Sequence, residues 1–356
     1  MAEAVEAGRA SSAMQGPERY ESIQYLRGIA ALMVVFVHSS VHYGGFFDPL
    51  GEYSFASSGV DIFFVISGFI MFTAAREEPP AEFMRRRLIR VAPLYWLATA
   101  AWFLINLAIA GGAGRDLRHV LLSLLFIPHR SAAYPDSFMP YLEVGWTLNC
   151  EMLFYCIFAA GLAIRQVVVF PVACILLLVS CRFWATPETA LGYTYTSSML
   201  VEFAVGLLIG EALEKCSLRG LSPLLLIGVL GLAAVEFLPG VPRGLSQGVP
   251  AALVVLGALS FERSGKLPRL RSMRAIGDCS YSLYLSHSFV AYALVAVWRR
   301  LPLQGWPQYL TFVPALLVSS VFVALLCHHS IEKPLTRYLS RFSIRHLRSK
   351  QVSDVA

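Results

Sequence analysis

Ten stretches of this sequence are apolar over close to the roughly 20 residues that an α-helix needs to cross a bilayer. They lie near 23–43, 55–75, 90–111, 144–164, 167–185, 194–213, 221–238, 245–261, 280–298 and 309–330. Only a fold that satisfies its backbone hydrogen bonds within each segment can hold such runs in lipid, which means helices here. Composition agrees. Of 356 residues, 56% are hydrophobic and only 15% charged, whereas soluble domains carry about a quarter charged residues. The expected fold is therefore all-α, a polytopic membrane helix bundle of about ten transmembrane helices. "LRHVLLSLLFIP" (117–128) is too short to cross and is expected to form an interfacial or re-entrant helix.

The position of the cations tests this count. If both termini are cytoplasmic, 22 of the 29 Lys and Arg residues fall on the inner side, as the positive-inside bias requires. The outer loops keep Arg115, Arg118, Arg130, Arg182, Arg243, Arg299 and Arg300. A net charge of +6 thus orients helices and gives no reason to expect a nucleic-acid partner. The first 22 residues contain no apolar core, so the first span is expected to act as its own insertion signal. The organisation reads as an N-terminal segment (1–22), one transmembrane domain (23–334) and a basic tail (335–356). The seven cysteines follow no metal or disulfide spacing, and no metal is expected.

Ionisable side chains inside spans are costly and mark cavities or reaction sites. Arg27 and His38 stand eleven residues apart in one apolar helix, which is three turns plus roughly 20°, so they share a face about 16 Å long. On the ten-span topology His38, Asp61 and Glu151 reach a similar depth in the outer half, and Glu202 is expected near the same cavity. Each could instead be satisfied separately by a carbonyl or a water. His287 and His328 lie toward the inner side and read as structural or interfacial, while His42, at the outer rim, is expected to be dispensable. In "FMRRRLIRVAPLYW", Arg87 and Arg90 share a helix face. With Arg27 they would form a cationic mouth for a phosphorylated ligand, since guanidinium groups bind phosphate bidentately. The competing reading is that this loop only orients the helix or grips anionic lipid.

Six stretches, in order, carry a resemblance: Arg27 followed by His38, "GVDIFFVISGF" (59–69), "RLIR" (87–90), "VGWTLNCEMLFY" (144–155), "GDCSYSLYLSH" (277–287) and "IEKP" (331–334). Together they resemble the membrane-bound acyltransferase family 3, polytopic bacterial enzymes that O-acylate polysaccharides, lipopolysaccharide and some small glycosides. The wording around Trp146 is similar to the exopolysaccharide (succinoglycan-type) acetyltransferase branch, with Met152 where many relatives have a second acid. The resemblance implies acyl-CoA, usually acetyl-CoA, as co-substrate, a glycan hydroxyl as acceptor, and the bacterial inner membrane as location. It implies membrane lipid and polysaccharide-assembly proteins as partners. His38 would act as general base or acyl carrier, with Asp61 or Glu151 orienting its ring. Arg27, Arg87 and Arg90 would hold the co-substrate, and Trp146 and Glu202 the acceptor. Two alternatives stay open from sequence: acylation of a small glycosylated metabolite, or proton-coupled transport by the same intramembrane acids and histidines.

Overall fold

The computed structural model describes residues 20–40, 46–50, 55–110, 116–131, 138–184 and 187–341, and every regular element among them is helical. The helices are α1 (Glu21–Ser40), α2 (Gly59–Ala75), α3 (Pro80–Ala110), α4 (Leu117–Leu124), α5 (Trp146–Ala163), α6 (Val169–Ser180) and α7 (Ala190–Tyr195). They continue as α8 (Leu200–Lys215), α9 (Pro223–Ala233), α10 (Arg243–Ser246), α11 (Gly248–Arg263), α12 (Arg271–Asp278), α13 (Ser280–Trp298) and α14 (Gly305–Cys327).

Among the described residues, eight helical segments are long and apolar enough to cross a membrane. The other two expected spans are shorter. Residues 167–185 yield the apolar helix Val169–Phe183, and 221–238 yield Pro223–Ala233. The second has 11 residues, about 16 Å of rise, or half the hydrocarbon thickness. Its regular turns stop at Ala234, where the chain tightens into a 3₁₀ turn (Val235–Phe237) before Pro239 and Gly240. The stretch at 117–128 forms α4, capped by Asp116, whose side chain accepts from the His119 amide. α4 folds back along α3. The Trp96 indole donates to the Leu124 carbonyl at 2.8 Å, and Tyr95 stacks on Phe126 at 5.1 Å. These contacts set the C-terminal end of α4 against Tyr95 and Trp96, in the middle of α3 rather than at its end.

Two close approaches between backbones set the register of the bundle. α2 packs most extensively against α8, where Gly68 and Gly206 face each other. A Cβ added to Gly68 would stand 3.0 Å from the Gly206 Cα, so neither position has room for a larger side chain. Small residues allow this kind of contact in lipid, where packing rather than hydrophobicity draws helices together. Beside it the rings of Phe64, Phe203 and Phe154 stack in series at 4.4 Å, joining α2, α8 and α5. The second approach sets Gly28 of α1 against Gly277 of α12, 3.1 Å from a Cβ to the Gly277 nitrogen. α1 also packs against α13, which follows directly. Counting ten residues, or about 15 Å, along each chain from this contact reaches His38 on one side and His287 on the other.

Candidate active site

A cavity of about 110 Å³ opens between α1, α2, α3, α5 and α13. Arg27, Arg87 and Arg90 line one end, Ser67, Glu151, Tyr155, Ser280 and Tyr281 its middle, and Thr147 and Tyr284 the other end. Residues Val60 to Met71 of α2 run along its wall, a rise of about 16 Å. The passage therefore matches the length of the Arg27–His38 face.

The basic run of α3 divides between two tasks. Arg85 and Arg86 are tied to Glu82, and Arg86 also to Glu78 at 3.0 Å. Arg87 and Arg90 have no carboxylate partner among the described residues and turn to the cavity instead. The Arg87 guanidinium lies 5.4 Å over the Phe83 ring, and its Nε donates to no protein acceptor. Stacking holds the plane of the group while leaving its N–H edge for an anion. Arg27 donates to Ser280 Oγ at 3.0 Å and lies within electrostatic reach of Arg90, Glu332 and Glu151. Three guanidinium groups converging on one end make an anion site, with Glu151 further in.

Glu151 is held in place by two donors: its Oε1 accepts from Ser67 at 3.3 Å and from the Tyr155 hydroxyl. At the deep end the Tyr284 hydroxyl meets Thr147 Oγ1 at 2.8 Å and donates to the Val144 carbonyl at 2.5 Å. Beyond Tyr284 stands His287, centroid to centroid 6.2 Å, and against His287 packs His38 at 4.8 Å, edge to face. His38 Nδ1 lies 2.7 Å from the Val34 carbonyl. A carbonyl can only accept, so Nδ1 carries the proton, and Nε2 is the basic nitrogen of the neutral ring.

The single outer-half site expected from sequence is thus resolved into neighbouring groups. Arg27, Arg87, Arg90 and Glu151 do share one cavity. His38 stands one ring beyond its deep end, packed on His287, which is fully buried at the same level rather than at the inner surface. Neither carboxylate is hydrogen-bonded to His38; a carbonyl of its own helix does the orienting. Asp61 is 0% exposed, and Arg243 grips both its oxygens, Nε to Oδ1 at 3.1 Å and Nη2 to Oδ2 at 2.7 Å. Arg243 also donates to the Ser57 carbonyl at 2.9 Å. Glu202, 1% exposed, lies within electrostatic reach of this pair and beside Gly248. Asp61 and Glu202 accordingly form a second, ionic cluster around Arg243. Trp146, the first residue of α5, packs half-buried on the core next to Thr147 and does not line the cavity. His42 lies outside the described residues.

Sequence reasoning missed Arg243, which reads as one more outer-loop cation and meets Asp61 from 182 residues away. It also missed Glu332 as an individual residue. This carboxylate, in the π-helical turn His328–Glu332, accepts from Ser282 at 2.6 Å and pairs with His328 at 2.9 Å. The signal was present, because "IEKP" and "GDCSYSLYLSH" are two of the six motifs and this bond joins them. Among the described residues no group of three or more His, Cys, Asp or Glu could hold a metal.

The acyltransferase 3 family model, described as an acyltransferase domain, matches residues 20–329. The chain is 36% identical to the exopolysaccharide production protein ExoZ of Rhizobium meliloti (strain 1021), over 80% of this chain and 91% of that protein. It is 26% identical to the acyltransferase MdmB of Streptomyces mycarofaciens, over 66% of this chain and 68% of that one. It is 24% identical to nodulation protein 10 of Rhizobium leguminosarum bv. viciae, over 90% and 95%. No solved structure matches the chain. A multi-pass helical bundle in which five of the six motif stretches contribute residues to one cavity, matched by this family over most of its length, belongs to the acyltransferase 3 family of membrane-bound O-acyltransferases.

Proposed function

We propose that the protein takes an acetyl group from cytoplasmic acetyl-CoA and transfers it to a hydroxyl of an exopolysaccharide or its lipid-linked precursor, in the bacterial inner membrane. The observation that carries this reading is the cavity itself. It has three arginines at one end and runs past Glu151 to the Thr147–Tyr284 pair, beyond which the rings of His287 and His38 pack in series. Coenzyme A is a long thin molecule with phosphates at one end and a thioester at the other. The charge asymmetry of the sequence assigns the arginine end to the cytoplasm, where acyl-CoA is found. The exopolysaccharide acceptor rests on the similarity to ExoZ.

The residues then have definite tasks. Arg27, Arg87 and Arg90 bind the phosphates by charge-assisted hydrogen bonds. His38 Nε2 takes the proton of the acceptor hydroxyl as its oxygen attacks the thioester carbonyl. The carbon–sulfur bond breaks, and the departing thiolate takes up that proton. The Thr147 and Tyr284 hydroxyls, fixed on each other and on Val144, define the deep wall against which the acyl group rests.

The test uses purified protein in nanodiscs, with acetyl-CoA and a glycan extract, reading free thiol release and glycan mass. The expected result is acceptor-dependent thiol release and an acetylated glycan. Arg87→Ala and Arg90→Ala should each raise the KM for acetyl-CoA, by roughly 1.5–3 kcal/mol of lost charge-assisted hydrogen bonding. Unchanged acetyl-CoA kinetics in properly inserted variants would return this basic run to lipid anchoring.

A further inference from the structure

The face opposite the arginine mouth carries a second polar surface that the acyl-donor cavity does not use. α3 bears Arg87 and Arg90 near its start and rises about 45 Å over its 31 residues before the chain turns into α4. There a separate pocket of about 230 Å³ is lined by Asp116, Arg118, His119, His129, Arg130 and Ser131. From its edge an alternating stack leads away. Arg130 lies 5.0 Å over the Phe138 ring, Phe138 lies 5.1 Å from Tyr193, and Arg182 lies 5.4 Å over Tyr193. Two positions further on from Arg182, Trp184 is 89% exposed.

This concentration runs against the charge rule, since outer loops of a membrane protein are poor in Lys and Arg. Three of the seven outer arginines gather here, and none of the three is in an ion pair among the described residues. The aromatic rings hold the guanidinium faces, and a bond from Arg130 to the Glu188 carbonyl at 2.9 Å fixes one edge. The remaining N–H edges are set for forked pairing with carboxylates. The histidines add an acceptor. His129 Nδ1 must donate to the Ile127 carbonyl at 2.7 Å, so its Nε2 accepts from His119 Nδ1–H, also at 2.7 Å. That leaves His119 Nε2 with a lone pair, a partner for a hydroxyl donor. The one acid of the pocket, Asp116, is occupied in capping α4.

The surface is also connected to the acyl site. The Tyr141 amide donates to Ser123 at 2.8 Å and its ring packs on His119 at 5.5 Å. Three residues later Val144 accepts from Tyr284 at the deep end of the cavity. The chain from Tyr141 enters the 3₁₀ turn Glu143–Gly145, so the two positions are at most about 10 Å apart and a polymer lying on this surface can place one of its hydroxyls near the acyl group.

We propose that this arginine–aromatic surface docks the acceptor, and that the acceptor is an anionic glycan bearing carboxylate groups along with free hydroxyls. The proposal rests on the acyltransferase reading above. Its experiment measures binding alone, with no acyl donor present, so that failure here leaves the thiol-release assay standing. Protein in phosphatidylcholine nanodiscs is titrated with oligogalacturonate, a carboxylated probe, and with a neutral malto-oligosaccharide of equal length. The carboxylated probe should bind and the neutral one should bind about tenfold or more weakly, as expected when charge-assisted bonds carry recognition. Arg130→Gln with Arg182→Gln should weaken oligogalacturonate binding by about tenfold or more, while Arg299→Gln with Arg300→Gln, exposed elsewhere on the same side, should leave it unchanged. Both platform arginines are exposed, and an unaltered melting temperature confirms the fold of each variant. Equal binding of the two probes, undiminished binding by the Arg130/Arg182 variant, or loss of oligogalacturonate binding when phosphatidylglycerol replaces the neutral lipid would overturn the proposal. The last result would make the surface a headgroup site.

Discussion

Replacing His38 by glutamine is expected to lower acyl transfer by on the order of 10²–10⁴-fold at unchanged membrane abundance. Glutamine keeps a hydrogen-bonding group of similar reach, so a histidine that merely tied its ring to Val34 would be replaced with little loss. A general base or acyl carrier cannot be, because an amide neither titrates near neutrality nor accepts an acyl group. His38→Ala should be equally inactive. The arginine at the other end of the same face should respond differently. Arg27→Lys keeps the charge but not the planar fork, and should be milder than Arg27→Ala. Initial rates with acetyl-CoA, normalised to protein in the membrane, check both. Activity retained in His38→Gln would move the chemistry to His287, the other ring of the pair.

The second large effect is on stability. Arg243→Met should destabilise the bundle by about 3–5 kcal/mol, because it leaves Asp61 buried without a counter-charge. Asp61→Asn should be milder, since Arg243 keeps Glu202 within reach. Changing both Asp61 and Arg243 to neutral residues should recover much of the loss, as expected when a buried ion pair is replaced whole rather than broken. Thermal unfolding in detergent and extractable yield measure the three variants. The series also decides what Asp61 does. If it reacts with substrate, Asp61→Asn will be inactive while remaining as abundant and stable as the parent. If it anchors α10 over α2, activity will follow stability.

The features legible in the sequence were those carried by one segment. Apolar runs showed a membrane helix bundle, the eleven-residue spacing showed that Arg27 and His38 share a face, and the three-residue spacing paired Arg87 with Arg90. All of these reappear in the cavity, apart from His38 standing one ring beyond its end. What depth along separate helices could not show was which side chain turns to which. Asp61, Glu151 and His38 share a level on the expected topology, yet Arg243 claims the first, and Ser67 with Tyr155 the second. His287 was placed too far inward because its depth was judged from its own span. Its true level follows from the Gly28–Gly277 contact, a relation between helices that no single segment contains. The two short helices end earlier than their apolar runs suggest; in the second, apolar composition continues to Leu238, past Ala234, where the regular turns give way before Pro239 and Gly240.

The central claim is that acyl-CoA lies along the cavity with its phosphates at the arginines and its thioester near His38. An experimental structure with coenzyme A bound tests this most directly. The account predicts the phosphates against Arg27, Arg87 and Arg90, and the thiol arm running past Glu151 and Tyr281 to end beside Tyr284. Coenzyme A bound outside this cavity, or threaded with its phosphates toward Thr147 and Tyr284, would contradict it.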